Sequence, residues 1–188
     1  MDRDEAVKKL RSKLTEKRFV HSVGVEYTAG CMAFIYDVDV KRARCAGLLH
    51  DCAKCIPTED KLKKAKKLGL PVNKFEELNP DLLHGKLGAY YAREKYGIED
   101  EEILSAITYH TTGKPDMTML EKIIFVADYI EPNRKMIKDL PEIRKEAFTD
   151  IDKCICHILK NTLDYLKTKD LAIDDLTNET YKFYMKQN

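Results

Sequence analysis

The chain has 188 residues, no tryptophan and a 44% hydrophobic fraction, enough for one domain with a proper core. Its 33 Lys and Arg stand against 32 Asp and Glu, and the net charge of +1 gives no electrostatic reason to expect a nucleic-acid or membrane partner. The opening MDRDEAVKKL lacks the apolar core of a secretory signal, and apolar runs such as IIFVA at 123–127 are too short to span a bilayer, so a cytoplasmic location is expected.

Helical periodicity dominates the chain. Residues 3–14 place Ala6, Val7, Leu10 and Leu14 on one stripe, with a boundary near Thr15. Residues 16–36 predict a longer helix with apolar positions at Phe19, Val23, Tyr27, Cys31 and Phe34. Asp37–Asp39 makes the turn into a helix at 40–53. Ile56-Pro57-Thr58 breaks that helix, Thr58 caps the next one at 59–68, and Gly69 ends it. Residues 70–80 hold Pro71 and Pro80 and are the least regular part. Helices follow at 81–96, stopped by Gly97, at 100–110, and at 117–130, which ends before Pro132. Thr111–Pro115 is a loop. Pro141 starts a long helix to about 167, a connector spans 168–176, and a last helix covers 177–187. No stretch alternates in the manner of a strand, and no repeat is visible. The expectation is a single all-α domain over residues 1–188.

Cys31, Cys45, Cys52, Cys55, Cys154 and Cys156 suit a reducing compartment. Cys52-x-x-Cys55 has the spacing of a redox motif or half a zinc site, but Cys154-x-Cys156 is a poor second half. The cysteines therefore read as small apolar residues in helices.

The chemistry lies in the histidines. His50 and Asp51 follow Leu48 and Leu49 at the end of an apolar helix. Burying a carboxylate beside an imidazole is costly unless they pair or bind a metal. Adjacent helical residues diverge by about 100°, so the two converge on one ion only at a helix end, or serve two ions. The turn at 37–39 folds the preceding helix back and brings His21 level with His50. Asp128 closes the apolar run from Ile123 to Ala127, where the helix dipole disfavours a carboxylate. His84 sits among Gly85, Gly88 and Ala89, and His110 ends a helix before a Thr/Gly loop; alone, neither is more than a structural histidine. His157, in CICHILK, reads as structural.

His21, the pair His50-Asp51 and Asp128 reproduce the ordered pattern of the HD superfamily of metal-dependent phosphohydrolases, which the chain resembles. The words KRFVHSVGV (17–25), AGLLHDCAK (46–54), LLHGKLGA (82–89), AITYHTTGKPDMTMLEKIIFVADYIEPNR (106–134) and LKTKDLAIDDLTNETYKFY (166–184) are similar to the YqeK-type family of symmetrical bis(5′-nucleosyl)-tetraphosphatases. That resemblance implies a helical HD-domain bundle, with a metal-site core at about 17–134 and C-terminal helices at 141–188 packed on it. It implies a two-metal centre, usually iron, that hydrolyses diadenosine tetraphosphate to two ADP. His21, His50, Asp51 and Asp128 would hold one ion; Asp51, His84 and His110 would hold the second, with Asp51 bridging.

Two metals about 3.5–4 Å apart suit phosphoanhydride hydrolysis by an activated hydroxide. Four His and two Asp form a nitrogen-rich set that argues against Mg²⁺ and Ca²⁺ and for Fe, Mn, Co, Ni or Zn. Asp51, His50, His84, His110 and Lys54 form the expected catalytic group. Lys54, Arg18 and Arg134 are singled out for substrate phosphate by their position beside the ligands. Nucleotide contacts are further expected at Gly24, His110, Thr111 and the connector residues Asp170, Leu171, Ala172, Ile173, Asp174 and Asp175, the connector resting mainly on the resemblance. The expected partner is a small nucleotide; a homodimer is left open. Another HD activity on mononucleotides or cyclic nucleotides, or a slow-turnover nucleotide sensor, would use the same metal site.

Overall fold

Side chains that accept backbone N–H groups start most of the helices. Asp2, Thr15, Asp39, Asp100 and Asp150 each cap one, and Asn73 and Thr118 form full capping boxes with Glu76 and Glu121. The computed structural model describes residues 2–169 and 172–187, and all regular structure among them is helical. The helices are α1 (Arg3–Arg11), α2 (Glu16–Ile35), α3 (Val40–Leu49), α4 (Thr58–Lys67), α5 (Lys74–Leu78), α6 (His84–Tyr96), α7 (Glu101–Tyr109), α8 (Met119–Ile130), α9 (Leu140–Glu146), α10 (Ile151–Thr168) and α11 (Asp175–Met185). None of the described helices is long and apolar enough to cross a membrane.

Several boundaries differ from the sequence reading, each for a local reason. The helix expected at 40–53 ends at Leu49, and His50–Cys55 run on as turns. Thr58 does not cap α4: Pro57 is the N-cap and offers no side-chain bond. The segment at 70–80 contains α5, because Asn73 and Glu76 satisfy each other's backbone donors. The helix expected from 81 opens instead as a 3-10 turn, Pro80–Leu83. The long helix expected over 141–167 is two helices. Asp150 leaves the helical conformation and accepts from Lys153 N, so its carboxylate starts α10 afresh.

One apolar core runs from Ala6 in α1 to Tyr184 in α11. Helix α8 is its centre, with Leu120, Ile123, Ile124, Phe125, Val126, Ala127 and Ile130 buried against α2, α7 and α10. A smaller cluster, Ala53, Ile56, Ala65, Leu83 and Leu87, seats α4 against the 3-10 turn and α6. Helices α2 and α3 form an antiparallel hairpin whose turn puts Asp37 at φ 52°. Gly47 lets their backbones close: a Cβ there would lie 3.0 Å from Val25 O and 3.1 Å from Glu26 Cα. Gly85 does the same between α6 and α7, where a Cβ would lie 2.5 Å from Thr108 O. Those two close approaches fix how near the histidines on these helices come to one another.

Candidate metal centre

His50, His84 and His110 share one local arrangement. Each occupies the C-cap of a helical turn, after Leu49, Leu83 and Tyr109 respectively. Each turns its Nδ1 back to a carbonyl three residues earlier: Gly47 O at 2.7 Å, Asp81 O at 2.5 Å and Ile107 O at 2.7 Å. The Gly47 and Ile107 carbonyls are ones that a helix end leaves without an N–H partner, while Asp81 O accepts from His84 N as well. A carbonyl only accepts, so Nδ1 carries a proton and Nε2 is the ring nitrogen left to face inward. His21, inside α2, has both ring nitrogens facing carboxylates, Nδ1 3.1 Å from Glu131 Oε1 and Nε2 2.9 Å from Asp128 Oδ1. Burial acts against its charged form, but these carboxylates, Asp128 first, outweigh it and raise its pKa above the usual imidazole value.

All four Nε2 atoms point inward. His21 and His50 approach at 3.2 Å between Nε2 atoms, and His84 and His110 at 3.0 Å. The rings form a row, with centroid separations of 5.2 Å (His21–His50), 5.0 Å (His50–His110) and 4.9 Å (His110–His84). Ring nitrogens this close to one another suit a cation between them, which would bind both members of each pair.

Asp51 lies between the two histidine pairs. Its Oδ2 is 3.4 Å from His50 Nε2 and 3.8 Å from His21 Nε2, and accepts from Arg18 Nη1 at 2.6 Å. Its Oδ1 is 3.5 Å from His84 Nε2 and 3.7 Å from His110 Nε2. That Oδ1 is buried and has no hydrogen-bond partner. Asp128 Oδ1 is 2.9 Å from His21 Nε2, 3.7 Å from His50 Nε2 and 3.8 Å from Arg134 Nη2. These six residues, and no others among the described residues, form overlapping groups able to hold a metal ion. A buried, nitrogen-rich donor set with an orphaned carboxylate oxygen fits a divalent cation.

The electrostatics agree. Burial pushes the Asp51 carboxyl up, but the surrounding imidazoles, His50 foremost, hold it well below the usual carboxylate range. Burial likewise acts against Asp128, and its bond with His21 overrides it, keeping the group ionised. Burial, reinforced by the charge of His110, brings His84 down to about 3, which keeps that ring neutral and ligand-competent.

The other expected residues are placed as follows. Thr111 Oγ1 is 3.1 Å from His84 Nε2. Lys54 Nζ is paired with Asp81 Oδ2 at 2.6 Å, and the buried Lys61 takes the other oxygen at 2.6 Å. Lys54 thus bears on the residue whose carbonyl orients His84. Gly24 makes room for Glu131, whose Oε2 would overlap a Cβ at that position. Asp174 caps α11 through Leu176 N and accepts from Asn73 Nδ2 at 3.2 Å, while Asp175 is 3.5 Å from Lys74 Nζ. Ala172 is exposed and Ile173 half-buried; Asp170 and Leu171 lie outside the described residues. His157 joins both ends of α9 to α10, through Glu146 Oε2 at 2.9 Å and Asp139 Oδ2 at 3.4 Å. Cys52 and Cys55 sit in the turn after α3 rather than in a helix, and all six cysteines are free. Burial pushes the Cys52 thiol up to about 12, which makes it a poor nucleophile.

Beside the cluster lies a cavity of ≈ 1060 Å³ bordered by Arg18, His21, Tyr129, Arg134, Asn161 and Tyr165. Sequence reasoning missed its α10 wall, because nothing in the sequence says which face of that helix turns toward the histidines. It also missed Glu131, whose sequence signal is its place three residues after Asp128, one helical turn on.

Residues 18–133 match the HD domain family. The chain is 40% identical, over 97% of its length and 97% of the relative's, to the symmetrical bis(5′-nucleosyl)-tetraphosphatase of Bacillus subtilis (strain 168). The protein of the same name from Staphylococcus aureus (strain NCTC 8325 / PS 47) is 38% identical over 98% of this chain and 95% of that one. Among solved structures, a predicted HD superfamily hydrolase from Clostridium acetobutylicum, described as involved in NAD metabolism, superposes with a TM-score of 0.96 at 39% identity, covering 100% of this chain and 99% of that one.

Proposed function

The chain belongs to the HD domain family, among the symmetrical bis(5′-nucleosyl)-tetraphosphatases, and we propose that it hydrolyses diadenosine tetraphosphate and related dinucleoside polyphosphates to two nucleoside diphosphates. The observation that carries this reading is Asp51, with one oxygen toward each histidine pair and a basic cavity alongside. His21, His50, Asp51 and Asp128 would hold one divalent ion, and Asp51, His84 and His110 the other. Metal bound there would supply charge to polarise the phosphoanhydride and to lower the pKa of water. The nitrogen-rich ligands favour a transition metal, with iron the choice that the family resemblance suggests.

The chain's own side chains do the rest. Arg18 and Arg134 reach the cluster from the cavity and place positive charge where a polyphosphate would lie. Lys17, Lys135 and Lys138 line the same cavity and extend that charge outward. Tyr129 and Tyr165 line the same cavity and bring aromatic surface to the place where a base would lie. The single carboxylate on Lys54 leaves it as a holder of Asp81 and, through the Asp81 carbonyl, of His84.

Product identification tests the reading. Two ADP from diadenosine tetraphosphate is the expected result, and ATP plus AMP would overturn it. Mononucleotides, cyclic nucleotides and pyridine nucleotides form the other arms of the same assay; faster turnover of any of these would replace this substrate assignment.

A further inference from the structure

His21 differs from the other three imidazoles. It lies inside α2, where nearby carbonyls are taken by the helix ladder, so its Nδ1 proton needs an acceptor from elsewhere in the fold. Glu131 supplies it from the end of α8, its side chain only 2% exposed. The other oxygen, Oε2, accepts from Asn133 N at 2.7 Å and from Asn133 Nδ2 at 3.1 Å. The backbone is held as well, Arg144 donating to Ile130 O and Glu131 O at 2.9 Å each. Gly24, one turn beyond His21 on α2, leaves the space the carboxylate fills. A third buried acid near Asp51 and Asp128 adds like charge and is unfavourable by itself. Nothing in the proposed hydrolysis requires it to touch substrate.

We propose that Glu131 is a positioning residue: through Oε1 it fixes the tautomer and ring orientation of His21 as a ligand, and through Oε2 it ties His21 to the Asn133 segment that leads to Arg134. The proposal rests on the metal reading of the cluster. A carboxylate that accepts the second ring proton makes an imidazole a stronger and better-aimed donor, and losing such a partner typically weakens metal binding about 10–100-fold. It also joins two functions, because the residue that orients a ligand anchors the chain that carries a phosphate-binding arginine.

The test is Mn²⁺ titration calorimetry on the full-length, metal-stripped chain, with elemental analysis of the purified proteins. Glu131→Gln keeps the shape and removes the charge. It is expected to lower Mn²⁺ affinity about 10–100-fold at one of two sites while the stripped protein melts as wild type does. Gly24→Ala displaces the same carboxylate without changing it and is expected to act in the same direction; it also serves should Glu131→Gln fold poorly. His21→Ala is the reference. If His21→Ala loses metal while Glu131→Gln and Gly24→Ala bind Mn²⁺ as wild type does, the positioning role is wrong and the metal site stands. If His21→Ala and Asp51→Ala also bind like wild type, the metal reading fails and the proposal falls with it.

Discussion

At the scale of single residues, the site is a problem of where ring protons go. Three histidines give theirs to a carbonyl of the turn they terminate, and the fourth gives its proton to Glu131. The helix-end placement of His50 and His110 was legible in the sequence, since both follow an apolar helix and precede a turn. That His84 faces His110 was not, because no periodicity relates residues on two helices joined only by packing; the family words supplied them. Asp51 is the residue on which both halves depend. Asp51→Ala is expected to reduce bound metal to background and hydrolysis by at least about a thousandfold, since it removes the carboxylate that faces all four imidazoles. Elemental analysis at full occupancy would contradict this. Arg134→Ala should behave differently: it stands 3.8 Å from Asp128, holds no metal and faces the cavity. Its expected effect is unchanged metal content with KM raised about tenfold, near the 1.4 kcal/mol of a modest charge-assisted contact. Steady-state kinetics on the metal-loaded enzyme separates the two cases.

At the scale of elements, the histidines meet because glycines let backbones touch. Periodicity gave the existence of α1, α2, α7 and α8, and the turn at 37–39 gave the α2–α3 hairpin. It did not give the early end of α3, which places His50 and Asp51 where the helix gives way to turns, because Cys52, Ala53 and Lys54 are all compatible with helix. The break at Asp150 was visible only as a capping residue inside a periodic stretch, and there the cap prevailed over the pattern. Gly85 tests the role of close approach. A Cβ would sit 2.5 Å from the Thr108 carbonyl oxygen and 3.3 Å from that of Ile107, both backbone atoms that cannot swing aside. Gly85→Ala is therefore expected to destabilise the fold by about 1–3 kcal/mol, despite the better helix propensity of alanine. It should also weaken metal binding, because α6 and α7 must separate and carry His84 away from His110. A urea melt showing wild-type stability would mean that the two helices do not pack as closely as described.

At the scale of the whole molecule, the ligands come from α2, the end of α3, the start of α6, the end of α7 and α8, so the site exists only when the full core is assembled. A near-neutral chain hides a concentrated interior: four imidazole nitrogens and two ionised carboxylates converge at one place, with Arg18 and Arg134 beside them on the cavity side. Without a cation, that interior opposes folding through burial of Asp51 Oδ1 with no partner. With a cation it favours the native state, because an unfolded chain cannot present this set at once. Linkage gives the size: a ligand at a thousand times its dissociation constant stabilises by about 4 kcal/mol. For a chain of this length each kcal/mol moves the melting temperature by roughly 2–4 °C. Treatment with a strong chelator is therefore expected to lower Tm by about 10 °C, and re-addition of Mn²⁺ or Fe²⁺ to restore it, while Mg²⁺ restores little because its preference is for oxygen. Calorimetric scans in which the chelated and metal-replete proteins melt together would mean that the cluster is satisfied without an ion, and the metal centre would have to be abandoned.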